Sequence, residues 1–370
     1  MNLNINLKRS LSVSCWRVVG QVARASKRAE LIPILLRVRD QGQGNAEDIA
    51  SHLFFEARSR RVVAERLLRI ATTYKLLSES RGWFSLTDEG RAAIESEQVF
   101  VPEHGTWTIW ASEDPLLGSR VLRVEAWQEP SAYDEVWGKE RDAERNFERL
   151  PRWLSEVVGH VQRPCAGDGH SLRVDELEAQ GEVVSAEAGL TIEWSVSAGR
   201  LRVAGTLGGR KVHTDLDPPT RSSSGVWQEL LQHEGLWPSW DETRGALLVG
   251  FEESEPAERE SMARTLRIER PRLEGLGPFD AISVGGVGLA ARSQPDAQRW
   301  AKWRLESRIQ DYATQRRMEE WAQAAAAPFT DHRIDLPSRG DLAREAWSAR
   351  EELPSPRTWH LVAAEDWRLR

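Results

Sequence analysis

The chain has 370 residues, with 50 Lys and Arg against 57 Asp and Glu, 40% apolar residues, two cysteines and 17 tryptophans. That length predicts two or three domains, the apolar content argues against a wholly disordered chain, and no apolar run reaches the roughly 18 residues of a membrane helix. Cys15 and Cys165 make no disulfide framework and Arg17 interrupts the only apolar stretch near the N-terminus, so the chain reads as cytoplasmic.

The net charge of -7 is a sum of opposed parts. Residues 1–81 hold 15 Lys and Arg against 7 Asp and Glu, while residues 82–370 hold 35 against 50. A basic head therefore precedes an acidic body. Only six of the basic residues are Lys; Arg suits bidentate phosphate contact, although the same bias follows from genome composition.

In the head, Leu11, Cys15, Val18 and Val22 recur at helical spacing and predict a first helix, with Arg24, Lys27 and Arg28 near its end. Pro33 belongs at a helix start, so Leu31 to Arg39 reads as a separate helix ended by Gln41-Gly42-Gln43-Gly44. Asn45 stands as N-cap with Asp48 three residues on, and Ile49, Ala50 and Leu53 supply the inner face of a short helix. Between Ala57 and Leu77, the positions Val63, Leu67, Ile70, Tyr74 and Leu77 form one apolar stripe, with Arg58, Arg61, Arg66 and Arg69 mostly off it. Ser80-Arg81-Gly82, between Leu77 and Leu86, predicts a tight β-hairpin, and Thr87 caps a last helix begun by Asp88 and Glu89.

The segments Ala46-Glu47-Asp48-Ile49-Ala50, Arg66-Leu67-Leu68, Lys75-Leu76-Leu77 and Gly82-Trp83-Phe84-Ser85-Leu86-Thr87-Asp88-Glu89-Gly90, in this order, resemble the winged helix-turn-helix superfamily in the style of the MarR and ArsR regulators. The resemblance covers residues 28–97. It implies a third helix laid into the DNA major groove and a wing on the backbone or minor groove. Arg58, Arg60, Arg61, Arg66 and Arg69 then become groove and phosphate candidates, with Arg81 on the wing. The same surface docks proteins in other assemblies, and a basic helix is also compatible with a plain solvated face.

Past residue 98, Leu190, Ile192, Trp194 and Val196 alternate with polar residues, Ala198-Gly199 turns, and Leu201 and Val203 resume the alternation, predicting an antiparallel hairpin. Further strands are expected at Thr106 to Ala111, Val121 to Trp127, Leu172 to Leu177, Ala246 to Phe251 and Ala281 to Val284. Helices are expected at 131–159, 224–235, 254–265 and 339–352, with one long helix over 295–326 carrying Leu305, Ile309, Tyr312, Met318, Trp321 and Ala325. The expected fold class is α+β: an N-terminal winged helix-turn-helix with an extra helix (1–97), an α+β body with an antiparallel sheet (98–292), and a long C-terminal helix with its tail (293–370).

Chemistry in the body is sparse. His160, Cys165, Asp168 and His170 lack the paired spacing of a zinc site. His213, Asp215 and Asp217 would share a strand face, but Pro218-Pro219 reads as a solvated strand end. Gly286-x-Gly288-x-x-Ala291 matches dinucleotide-loop spacing, yet Pro295 interrupts the following helix. Asp241, Glu252 and Glu253 flank a strand without a neighbouring lysine. No catalytic residue, metal or cofactor is assigned. Trp110, Trp127 and Trp194 occupy buried-looking strand positions, whereas Trp300, Trp303, Trp321, Trp347, Trp359 and Trp367 are weak candidates for a partner interface.

The chain thus reads as a non-enzymatic DNA-binding accessory subunit that grips duplex DNA and meets partner proteins through an acidic, Trp-rich body, possible settings being a bacterial DNA-processing or antiviral defence system. The alternatives are a transcription regulator with a sensing or dimerising body, a protein-docking scaffold, or an enzyme with an unrecognised site.

Overall fold

The computed structural model describes residues 3–54, 60–128, 146–166, 170–349, 356–357 and 359–361. Two units divide the chain: Lys8–Trp194 with Arg200–Pro219, and Met1–Leu7 with Ser195–Gly199 and Thr220–Arg370.

The chain begins in strands. β1 (Asn6–Ser10) and β2 (Ser14–Ser26) occupy the stretch expected to be the first helix. The N-terminal winged helix-turn-helix with an extra helix is therefore overturned as the fold class: the N-terminus is β-strand rich, within a mixed α+β chain of mostly antiparallel sheets. The reason lies in how β2 is buried. It pairs along its whole length with β5 (Val99–Ala111), and on its other edge with β9 (Leu172–Leu177) and β10 (Gln180–Val184). From Trp16 to Val22 burial alternates, with Trp16, Val18, Gly20 and Val22 buried and Arg17, Val19 and Gln21 half-buried, and Cys15 and Ala23 are buried as well. Leu11, Cys15, Val18 and Val22 also satisfy a helical spacing, and it is the pairing of β2 on both edges that decides for the two-residue period.

Between β2 and β5 the chain leaves the sheet and forms α1 (Ile32–Gln41), α2 (Ala46–Leu53), α3 (Arg60–Thr73), the hairpin β3 (Leu77–Ser80) and β4 (Trp83–Leu86), and α4 (Asp88–Ser96). The last register pair before it departs is Ser26 with Val99. The helices and hairpin are thus an insert at the end of a long antiparallel ribbon. Leu31, Ile34, Leu35, Val38, Ile49, Leu68, Leu77 and Phe84 build its core together with Val99.

The sheet that carries the insert runs β6 (Val121–Ala126), β5, β2, β10, β7 (Phe147–Arg149), with β9 also on β2 and β8 (Val161–Gln162) on β9. Trp16, Val18, Trp107, Ile109 and Val174 pack one core with Leu154 of the single-turn α5 (Arg152–Ser155). A second sheet has the order β1, β11 (Ala188–Ser195), β12 (Arg200–Leu207), β13 (Arg210–Leu216), in which β11 and β12 are the expected hairpin strands. Of the helix expected at 131–159, residues 131–145 lie outside the described residues; the rest is β7, α5 and turns.

In the other unit, α6 (Ser223–His233) precedes a four-stranded sheet in the order β14 (Trp240–Asp241), β15 (Ala246–Val249), β19 (Ile282–Ala291), β16 (Ala263–Ile268). β15 and β19 are parallel, and the remaining pairs are antiparallel. The helix expected at 254–265 is shorter: α7 (Pro256–Ser261) stops at Met262, whose φ of 53° is left-handed, and the chain turns into β16. β17 (Arg272–Leu273) and β18 (Gly277–Pro278) form a separate two-stranded ladder. The glycine-rich Gly285 to Ala291 lies within β19, so no helix N-terminus stands where a pyrophosphate would need it.

The long helix expected over 295–326 is two helices, α8 (Gln294–Ser307) and α9 (Gln315–Ala326). Thr314 caps α9 by accepting from Arg317 N–H, and Asp311 accepts from Tyr312 N–H in the break. α8, α9 and α10 (Arg339–Ala349) share a core of Leu305, Ile309, Ala313, Met318, Ala325 and Leu342.

Candidate nucleic-acid interface

The insert is assembled from local signals. Asn45 caps α2 by accepting from Asp48 N–H at 2.9 Å. Arg37 of α1 then donates to both oxygens of Asp48, at 2.7 and 3.2 Å, which ties the first two helices together. This guanidinium holds the Asp48 carboxyl below the usual aspartate range. Thr87 caps α4 by accepting from Gly90 N–H and donates its hydroxyl to Leu76 C=O. Gly44 and Phe84 exchange backbone hydrogen bonds of 2.9 and 2.8 Å, so the β3–β4 hairpin is held against the turn between α1 and α2.

On α3 the buried stripe is Ala64, Leu68 and Ala71, with Leu67 and Ile70 partly covered. The expected stripe is out of phase by one residue, because Val63 is 40% exposed. At 100° per residue, the side opposite Ala64 and Leu68 carries Val62, Arg66, Arg69 and Thr73. Val62 is 67% exposed there. At the hairpin tip, Arg81 and Gly82 have φ of 54° and 79°, the two positive values of a type I′ turn, and Ser80 pairs with Trp83. Arg81 is exposed at that apex, beside the 45% exposed Trp83.

The ion pairs sort the candidate cations. Arg61 meets Glu47 at 3.6 Å and Arg69 meets Glu65 at 2.7 Å, both exposed pairs of small worth that a phosphate competes with readily. Among the described residues, Arg60, Arg66, Lys75 and Arg81 have no ion pair. Arg58 lies outside the described residues. Residues 57–82 carry seven Lys and Arg against two Asp and Glu. Residues 27–98 as a whole carry 12 against 11, so positive charge is concentrated in α3 and the hairpin and is not a property of the insert at large. Of the other cations of the head, Arg37 and Arg39 lie on α1 and pair with Asp48 and Asp40, while on the strands Arg9 pairs with Asp114 at 2.5 Å and Arg17 with Glu182 at 2.8 Å while lying over the Trp127 ring.

The other sequence candidates are dispersed. The Cys165 thiol is buried and pushed up to about 11, which makes it a poor metal ligand; Asp168 lies outside the described residues, and no group of three or more potential ligands forms among the described ones. His213 and Asp215 are exposed on β13, and Asp215 is taken up by Arg202 of the neighbouring strand at 3.1 Å. Asp241 accepts from the backbone N–H of Thr243 and Arg244, Glu252 faces Arg299 at 3.5 Å, and Glu253 is clamped by both terminal nitrogens of Arg292.

The tryptophans divide by burial. Trp300 is 0% exposed, donates its indole N–H to Arg259 C=O at 3.0 Å and packs near Phe329, so its expected use at an interface is corrected to a core role. Trp303 and Trp321 are half-buried, the second against the α8–α9–α10 core. Trp347 and Trp359 are 52% and 57% exposed. Trp367 lies outside the described residues. Of the expected core positions, Trp110 and Trp194 are buried and Trp127 is half-buried.

Sequence reasoning missed Val62, Trp83 and Lys75 on the surface of the insert, and it missed a basic cavity in the sheets. The exposed apolar residues next to unpaired cations were the available signal for the first; no local pattern marks the second. Comparison of the chain with protein-family models, with curated proteins and with solved structures finds no match.

Proposed function

We propose that the protein is a DNA-binding accessory subunit that holds duplex DNA with α3 and the β3–β4 hairpin, while its acidic, tryptophan-rich remainder meets partner proteins. The observation that carries this reading is the placement of four cations without ion pairs among the described residues: Arg66 on the outer side of α3, Arg60 in its first turn, Lys75 in the turn that follows it and Arg81 at the apex of the neighbouring hairpin. A helix of 14 residues fits the major groove, and guanidinium groups grip phosphates or guanine edges. Val62, on the outer stripe of α3, supplies an apolar contact of the kind that meets a thymine methyl.

The test is binding of the full chain to labelled duplex DNA over a salt series. Arg60→Ala, Arg66→Ala and Arg81→Ala combined are expected to flatten the slope of log affinity against log salt by roughly 2 to 3, at about 0.9 per phosphate contact. Absence of binding at low salt, or a slope unmoved by the substitutions, overturns the reading.

A second reading is favoured by the exposed Val62, Val63 and Trp83, which suit a protein-docking face, and by the near balance of charge across residues 27–98. Under it, duplex binding is absent and Val62→Asp, with Trp83→Ser, abolishes capture of the partner with little dependence on salt.

A further inference from the structure

A cavity of about 670 Å³ opens within the Lys8–Trp194 and Arg200–Pro219 unit, built from residues other than α3 and the hairpin. Arg24 and Arg28 stand at the end of β2, Arg123 and Glu125 on β6, Arg210 on β13, and His170 ahead of β9.

Two of these guanidinium groups lie over indole rings. Arg24 lies 5.4 Å from the centre of Trp107, whose own N–H donates to Gly20 C=O. Arg123 is 5% exposed, lies 5.0 Å from the centre of the Trp110 ring, and donates to Leu207 C=O and to Glu125. Trp110 is fixed in turn by donating to Ala186 C=O at 3.0 Å, and by Gly208, where an added Cβ would come within 2.9 Å of the ring. Arg123 is therefore pre-positioned before any ligand arrives, which lowers the ordering cost of binding.

The charge of these guanidinium groups is not cancelled. Glu125 serves both Arg123 and Arg210, the latter at 3.3 Å. Arg24 has no ion pair among the described residues. The Arg28 Nε–H is buried without a partner, and its only described ion pair is a loose one with Glu30 at 3.5 Å. Among the described lining residues, four guanidinium groups thus face two carboxylates, Glu103 and Glu125, with Glu30 beside Arg28 outside the lining. An anion with two charges restores the balance, and a phosphomonoester carries about 1.5 to 2 negative charges near neutral pH, with three acceptor oxygens that match the Arg fork. A phosphodiester or a carboxylate supplies only one.

We propose that this cavity is a phosphate-binding site for a phosphomonoester, presented either by a free nucleotide or by the terminal phosphate of a nucleic-acid strand. The volume accommodates a nucleotide. The inference does not depend on duplex binding by α3, since none of those residues lines the cavity.

The experiment is calorimetric titration of the full chain with adenosine 5′-monophosphate, with adenosine, and with one short single-stranded oligonucleotide carrying or lacking a 5′-phosphate. All four are repeated on the Arg60→Ala, Arg66→Ala, Arg81→Ala background, so that loss of the α3 contact and loss of the cavity are read separately. The phosphorylated form of at least one pair is expected to bind on both backgrounds, and more tightly than its unphosphorylated counterpart. Arg24→Gln with Arg28→Gln, which leave the buried Arg123 untouched, are expected to weaken that binding by roughly 10-fold or more. Binding of the mononucleotide identifies the free-nucleotide source, and binding of the oligonucleotide pair alone identifies a strand end. Equal binding of phosphorylated and unphosphorylated ligands by the wild-type chain, absence of binding by any of them, or an affinity unchanged in the Arg24→Gln, Arg28→Gln protein overturns the proposal. The wild-type comparison needs no variant to fold.

Discussion

Gly20 lies in the middle of β2, where a Cβ would stand 2.3 Å from the carbonyl oxygen of Glu176 on the paired strand and 3.0 Å from Leu177. Backbone cannot yield as a flexible side-chain tip can, so Gly20→Ala is expected to destabilise the sheet by about 2 to 4 kcal/mol, seen as a lower urea midpoint at unchanged m-value. Arg81 shows the reverse case. Its left-handed φ of 54° is a conformation that Asn adopts at less cost, so Arg81→Asn is expected to raise the thermal midpoint slightly, through about 0.5 kcal/mol, while weakening duplex binding. A gain in both would separate the turn from the interface. For Asp48, the guanidinium of Arg37 lowers the folded-state pKa relative to the unfolded chain. Its contribution, about 1 kcal/mol for a pair that is only partly covered, is present above the ordinary aspartate value of about 3.9 and is lost as pH falls through the lower folded value. Wild type is therefore expected to be more stable than Asp48→Asn at pH 6, with the difference shrinking below about pH 4 in denaturation curves taken across that range.

At the level of elements, the position of the insert is the most consequential feature. Because Ser26 and Val99 are register partners, removing residues 27–98 leaves two strand ends that a two-residue Asn-Gly turn closes. Val99 packs on the insert's core and becomes exposed, so the replacement carries Val99→Thr. The shortened chain is expected to keep a cooperative unfolding transition and the circular-dichroism signal of its sheets, and to lose duplex binding. Retention of duplex binding would place the DNA contact elsewhere. The elements most legible in the residues were those set by short-range chemistry: the Asn45 and Thr87 caps, the Arg81-Gly82 hairpin and the strand Leu172–Leu177. The break between α8 and α9 was not among them: the residues from Leu305 to Ala325 read as one helix, whereas the chain leaves α8 after Ser307 and starts α9 at Gln315 under the Thr314 cap. The strand β2 was not legible, since Leu11, Cys15, Val18 and Val22 also fit a helical spacing and only pairing with β5, β9 and β10 decides between the two periods.

For the molecule as a whole, the two cysteines give a probe of opening. Burial pushes the Cys15 thiol up to about 12 and that of Cys165 up to about 11, and both belong to the unit that holds the insert. Since the thiolate is the reacting species, a thiol reagent at pH 8 is expected to leave both unmodified in the native protein and to label both in denaturant. Labelling of native protein at the rate of a free thiol would show that this unit opens locally. The division of charge also changes at this scale. The basic head reads as one body along the chain, but Lys8, Arg9, Arg17 and Arg24 belong to strands, where Arg9 and Arg17 stabilise pairings and Arg24 lines the cavity.

By itself the sequence determined the mixed α+β character, the helices and hairpin between residues 31 and 98, and the concentration of cations in residues 57–82, because caps, turns and local charge act over a few residues. No helix among the described residues is long and apolar enough to cross a membrane, in keeping with the absence of a long apolar run. Tertiary structure alone decided that the chain starts in strands, that the helices interrupt a sheet, that Trp300 is core, and that Arg24, Arg28, Arg123 and Arg210 share one cavity. Those outcomes rest on which strands pair and which faces are covered, and both are set by contacts between residues far apart in the chain, where local pattern carries no information.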